Sequence, residues 1–179
     1  MPIDQILIGN ANTYFLNDFR NALTGSLESD VEAYLSICET PPTDGAGWKV
    51  KGASNHTPIV ITSEDHGLTT GDQITIVNVG DNRGAHGTFT VTVIDADSFS
   101  LNSSAGVAAW TRGGQFYRCI QDAAGLSFDL TGSGQYQCTV DGDIGLEANT
   151  GYVIVAYCQG AYRDLFNQVN HVTAVIRGN

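Results

Sequence analysis

The sequence predicts an all-β protein: a β-sandwich assembled from the two ends of the chain, with a small all-β unit inserted between them. Three observations carry that expectation. Apolar residues recur with a period of two, rather than the helical period of about 3.6, in one segment after another. Turn-forming residues interrupt those segments throughout, and 21 of the 179 residues are glycine. A stiff linker, Pro41-Pro42-Thr43-Asp44-Gly45-Ala46-Gly47, separates the first strands from the central stretch.

In chain order, 5–8 is a short apolar run ended by Gly9-Asn10, and 13–16 is a second, stopped by Asn17-Asp18. Ala22-Leu23-Thr24-Gly25 approaches a turn. Val31, Ala33, Leu35 and Ile37 then alternate with Glu32, Tyr34, Ser36 and Cys38. Ser29 followed by Glu32 mimics a helical capping box, but the clean alternation and the Pro-Pro that follows favour a strand. Beyond the centre, 115–120 resumes a strand; Leu126, Phe128 and Leu130 alternate, as do Tyr136, Cys138 and Val140. Residues 152–158 form a nearly unbroken apolar run, the pattern of a strand covered on both faces. A long polar connection over 159–170 leads to a last strand at 172–176. These outer segments supply some seven or eight strands, the number for an immunoglobulin-like sandwich. Insertions succeed at exposed loop tips, so the expected organisation is a discontinuous sandwich over 1–48 and 115–179, with 49–114 inserted.

The central stretch, 58–101, is the most explicit. Phe89, Val91 and Val93 alternate with threonines, Phe99 and Leu101 repeat the pattern, and Asp95-Ala96-Asp97 connects them as a hairpin turn. Its ordered motifs are His66-Gly67-Leu68, Thr70-Gly71-Asp72, Ile74-Thr75-Ile76, Gly87-Thr88-Phe89-Thr90-Val91, the segment from Asp95 to Leu101, and Gly113-Gly114. In these the stretch resembles a small β-barrel module of tailed-bacteriophage and prophage virion proteins, itself similar to the first catalytic-cysteine half-domain of ubiquitin-activating enzymes. Where the family usually has Asn-Gly this chain has His86-Gly87, and histidine tolerates left-handed turn geometry. No thioester-forming cysteine or ATP-binding segment lies within 49–114, so the resemblance implies a fold and a setting rather than ubiquitin activation. The outer frame resembles immunoglobulin-like modules of phage virion proteins in Leu23-Thr24-Gly25, Gly134-Gln135-Tyr136 and Gly151-Tyr152-Val153-Ile154-Val155, without the cysteine-tryptophan-cysteine arrangement of immunoglobulin domains.

Charge narrows the partners. The formal net charge is −11 and the only lysines are Lys49 and Lys51, so phosphate backbones and anionic lipid are repelled. A basic protein surface is the better match. Met1-Pro2-Ile3-Asp4 lacks the basic start of a signal peptide and no window approaches ~18 apolar residues, which makes a cytosol the expected place of synthesis. Cys38, Cys119, Cys138 and Cys158 form no Cys-x-x-Cys pair. They read as buried free thiols, although an even count also allows one or two disulfides and spacing does not choose.

Chemistry-bearing motifs are sparse. Asp141, Asp143 and Glu147 place three carboxylates within seven residues, but without the spacing of an EF-hand loop the cluster reads as a solvated acidic turn. Glu64-Asp65-His66 reads as a turn with a hydrogen-bonded histidine. No Gly-x-Ser-x-Gly elbow or phosphate loop occurs, so neither a catalytic site nor a cofactor or metal site is expected, and the chain reads as a non-enzyme. Trp48 and Trp110 flank the inserted module and are expected to pack it against the sandwich, with an exposed hot spot of a protein interface as the alternative. Tyr162, Arg163 and Phe166, aromatics beside an arginine in a long connection, are the leading candidates for a protein interface. The resemblance implies a structural component of a virion, made in a bacterial cytoplasm and present in symmetric copies that bind other virion proteins. A head decoration or neck position is the first expectation, and a tail-fibre or baseplate module that binds a host-surface carbohydrate or protein is the alternative.

Overall fold

The computed structural model describes residues 5–17, 24–42, 47–132, 134–160 and 167–176. These residues are almost entirely strand and turn, the only helical pieces being single 3-10 turns at Arg83–Ala85 and Gln121–Ala123. The protein is all-β, with a sandwich-like frame and curled sheets.

The frame has two sheets. The larger contains β1 (Gln5–Ile8), β3 (Ala33–Glu39), β11 (Leu126–Ser127), β14 (Gly151–Cys158) and β15 (Asn167–Ile176), in the order β1-β15-β14-β3-β11. The smaller has β13 (Gln135–Val140) at its centre, between β12 (Asp129–Gly132) and β2 (Asn12–Leu16). Side chains from both sheets meet in one core, with Tyr14, Tyr136, Cys138 and Val140 facing Ala33, Leu35, Ile37, Ile154 and Val172. Each fully buried aliphatic side chain there contributes about 1.5–3 kcal/mol.

Between β3 and β11 the chain builds a third, curled sheet. Its strands are β4 (Trp48–Lys49), β5 (Gly52–Ala53), β6 (Ile59–Thr62), β7 (Gln73–Val79), β8 (Gly87–Asp95), β9 (Ser98–Leu101) and β10 (Gly113–Arg118), in the order β4-β10-β7-β8-β9-β6-β5. Both ends of this sheet hydrogen-bond to the same short segment. Trp48 and Lys49 pair with Phe116 and Gln115 of β10, the Val50 N–H donates to the Gly114 carbonyl, and the Lys51 N–H donates to the Thr62 carbonyl of β6. The curled sheet therefore encloses its own core, which includes Ile59, Ile61, Ile74, Ile76, Val91, Phe99, Leu101 and Phe116. The 114/115 division expected from the sequence falls within β10, which pairs with β7 from Gly113 to Arg118.

Period-two patterning explains how the two parts meet. Along β14, Tyr152, Ile154 and Cys158 enter the sandwich core, while Val153, Val155 and Tyr157 point the other way. Those three residues pack with Cys38 of β3 against Val77 of β7, Tyr117 of β10 and Cys119. The apolar run at 152–158 is thus a strand covered on both faces, as its sequence predicts. The alternating segment around Leu35 is strand rather than helix.

Two expectations need correction. The last strand begins at Asn167, five residues before the predicted start, because pairing of Asn167 to Tyr157 and Asn170 to Ile154 carries polar, strand-poor residues into the ladder. His86 is extended, with φ −91°, and Gly87 adopts the positive φ of 130° instead. The histidine is drawn out of turn geometry by a contact across the junction, described next.

Candidate functional site

The most organised polar feature is the buried junction between the sandwich and the curled sheet. Tyr157 Oη lies 2.7 Å from Thr88 Oγ1, which lies 2.8 Å from Thr75 Oγ1. The Thr75 hydroxyl donates to Ser36 Oγ at 2.7 Å, and Ser36 Oγ also accepts the Gly125 N–H at 2.9 Å. Cys119 Sγ sits 3.1 Å from Thr75 Oγ1 and 3.3 Å from Cys38 Sγ. His86 Nε2 lies 3.1 Å from the Cys158 carbonyl oxygen, with its ring edge-on to Tyr157 at 5.6 Å. Glycine suits position 87 because its φ of 130° is one that L side chains rarely adopt. Tyr34 stacks on Tyr157, also at 5.6 Å. At the rim, Arg118 reaches Asp72 at 3.0 Å and Glu39 of β3 at 3.8 Å.

Groups placed this way hold two surfaces in register, and the Tyr157 hydroxyl and the Cys38 thiol are poor nucleophiles. Burial pushes the Tyr157 hydroxyl and the Cys38 thiol well above their ordinary pKa values. Burial likewise raises the thiols of Cys138 and Cys158 to about 11 each. These groups stay protonated at neutral pH, and protonated they act as hydrogen-bonding and packing groups.

The candidates from sequence have specific places. Trp48 stacks on Phe116 with centroids 5.5 Å apart, and the Trp110 indole N–H donates to the Gly113 carbonyl at 3.0 Å. Both tryptophans are half-buried against the core of the curled sheet. Packing between the two parts falls instead to Tyr34, Tyr117, Tyr157 and His86. Tyr162, Arg163 and Phe166 lie outside the described residues. The Asp141–Glu147 loop is anchored by Ile144 and Leu146, both buried in the sandwich core, and by the Glu147 N–H donating to the Tyr152 hydroxyl at 2.9 Å. Among the described residues no group of three His, Cys, Asp or Glu side chains is placed to hold a metal ion. His66 is a buried turn histidine: Nδ1 accepts the Leu68 N–H, and Nε2 lies 3.0 Å from the Asp95 carbonyl oxygen.

Phe15 is 60% exposed on β2, and Leu130 is 46% exposed on β12 of the same sheet. A cleft of about 200 Å³ opens between the sandwich sheets, with Tyr14, Phe15 and Phe128 facing Gln168 and Asn170. The Tyr14 hydroxyl is buried there with no hydrogen-bond partner among the described residues, and burial raises its pKa to about 12. A wider cleft of about 640 Å³ is lined by Glu39, Glu147, Thr150 and Tyr152. Sequence reasoning missed the junction because alternation puts Thr88 on the polar face of its strand and nothing in the residue types of Thr75 and Ser36 marks burial. A weak signal was present in Tyr152–Cys158, whose second apolar face requires a partner surface. No protein-family model matches this chain, and no curated protein matches it.

Proposed function

We propose that this chain is a non-enzymatic structural component of a tailed-phage or prophage particle, positioned as a head decoration or a neck protein and bound to other virion proteins. The reading rests first on the ordered motifs of the central stretch, which resemble the β-barrel module of virion proteins. The structural observation that supports it best is the junction, where a curled sheet and a sandwich are joined through a fully packed, hydrogen-bonded face. Two units fused in this way form a stiff spacer, which suits a part that carries load or fixes distance within an assembly. An acidic surface of net charge −11 keeps such a part soluble before assembly and favours basic partner surfaces. Phe15 and Leu130 offer apolar contact on the three-stranded sheet, where β2 and β12 are the edge strands among the described residues and can pair with a neighbour.

Quantitative mass spectrometry of purified particles from the source tests this reading. A copy number comparable to the major capsid protein identifies a decoration protein, and a single ring's worth identifies a neck or tail component. Absence from particles rejects the virion reading.

The cleft between Tyr14, Phe15, Gln168 and Asn170 favours a second reading, a tail-fibre or baseplate module that binds a host carbohydrate. Aromatic faces beside paired amides suit a sugar ring with its hydroxyls. Glycan-array binding that is lost in Phe15→Ala would favour that alternative over the first.

A further inference from the structure

The junction brings together two cysteines that are 81 residues apart in sequence, with Cys38 Sγ and Cys119 Sγ separated by 3.3 Å. They come from different parts of the molecule. Cys38 lies on β3 of the sandwich, and Cys119 follows directly on β10 of the curled sheet. The two residues face each other as an isolated antiparallel bridge. The neighbouring Ile120 N–H donates to the Ile37 carbonyl at 2.8 Å, which makes Cys38 and Cys119 a non-hydrogen-bonded cross-strand pair. In such pairs the Cα atoms approach to about 4.5 Å, inside the range of about 4.4–6.8 Å that a disulfide spans. Closing the bond therefore requires side-chain rotation without rearrangement of either sheet.

We propose that Cys38 and Cys119 are an oxidisable dithiol, a covalent modification site at which a hydroperoxide converts the junction from a packed contact into a disulfide cross-link. The pair is asymmetric in a way that assigns roles. Burial pushes the Cys119 thiol up, but hydrogen bonds from Cys38, Thr75 and Ser36 more than reverse this and leave it below its ordinary 9.0. Cys38 is held well above that value, by burial and by its neighbours Cys119 and Glu39. Cys119, 8% exposed where Cys38 is fully buried, is the sulfur that meets the peroxide first, and Cys38 is the resolving thiol. In the first step the Cys119 sulfur attacks one peroxide oxygen, the O–O bond breaks, and the departing hydroxide takes the thiol proton to become water. In the second, Cys38 sulfur attacks the sulfenic sulfur, the S–O bond breaks, and the hydroxide leaves as water with the Cys38 proton. Two thiols lose two electrons in total, and one hydrogen peroxide accepts them to become two waters. Hydrogen peroxide is close to water in size, and Cys119 retains 8% exposure at the junction's edge.

The inference concerns the junction alone and holds whatever the chain binds. Its test treats the purified, reduced full chain with hydrogen peroxide, removes the oxidant, blocks remaining thiols after denaturation, and maps digested peptides without reduction. The expected result is a peptide pair joining Cys38 to Cys119, two hydrogens lighter than the reduced pair, with Cys138 and Cys158 recovered as blocked thiols. Tying off a loop of this length raises the thermal midpoint by roughly 10 °C, and reductant reverses the shift. Cys38→Ser abolishes both the cross-link and the shift. Recovery of Cys38 and Cys119 as free thiols, or as separate over-oxidised species, under conditions that oxidise a small dithiol overturns the proposal. A cross-link between any other pair of cysteines overturns it equally, and both readouts are obtained on the unsubstituted chain.

Discussion

The two faces of the five-stranded sheet solve the same burial problem with different chemistry. Toward the three-stranded sheet, β3 and β14 present Ala33, Leu35, Ile37 and Ile154 to a core of aliphatic and aromatic side chains. Toward the curled sheet, the same strands present Ser36, Cys38, Val155 and Tyr157, and the surface they meet carries Thr75, Thr88 and Cys119. Apolar burial is strong but non-directional, so it stabilises a core without defining how two bodies are rotated relative to one another. Hydrogen bonds between hydroxyls at 2.7–2.8 Å are individually modest but geometrically selective. The first face supplies stability and the second supplies register.

That division predicts a graded set of effects. Ile154→Ala, which empties a fully packed core position, is expected to destabilise the chain by about 3–4 kcal/mol in urea titration. Thr75→Val keeps the volume but removes the hydroxyl that links Ser36, Thr88 and Cys119, and is expected to cost about 1–2 kcal/mol. Its more informative effect is on order, as faster amide exchange at the junction strands with little change in the sandwich core.

Alkaline pH tests the core face. Cys138 and Cys158, with folded pKa values of about 11 against an ordinary 9.0, favour the folded state in their protonated form. Below pH 9 both states hold these protons and stability is fully present. Between about pH 9 and 11 the unfolded chain releases them first, so stability falls as pH rises through that window. Thermal midpoints that hold steady to pH 9 and then decline check this, and Cys138→Ala lessens the slope. The smallest effect is expected at the rim, where Arg118→Ala removes the half-exposed contacts to Asp72 and Glu39 at a cost below about 1 kcal/mol, diminishing in high salt.

The core face was legible in the sequence and the register face was not, for a physical reason. Alternation of Val31, Ala33, Leu35 and Ile37 identifies a strand and its buried side, and the continuous run at 152–158 announces a second covered face. It does not identify what does the covering. Threonine and serine are equally at home against water and in a satisfied buried network, so Thr75, Thr88 and Ser36 carry no mark of burial in their residue type. His86 reads as a turn residue in the sequence because its side-chain partner, a backbone carbonyl at Cys158, is 72 positions away. Trp48 and Trp110 drew attention by size, yet both pack within the curled sheet. The start of β15 was missed because its first residues are amides, held in the ladder by β14 rather than by their own propensity.

The central claim, that the junction makes sandwich and curled sheet one mechanical body, is tested most directly by differential scanning calorimetry of the reduced full chain. A single transition is predicted, with equal calorimetric and van't Hoff enthalpies of about 0.7 kcal/mol per residue. Two separable transitions, or a calorimetric enthalpy well above the van't Hoff value, would show that the units melt independently and would contradict the account.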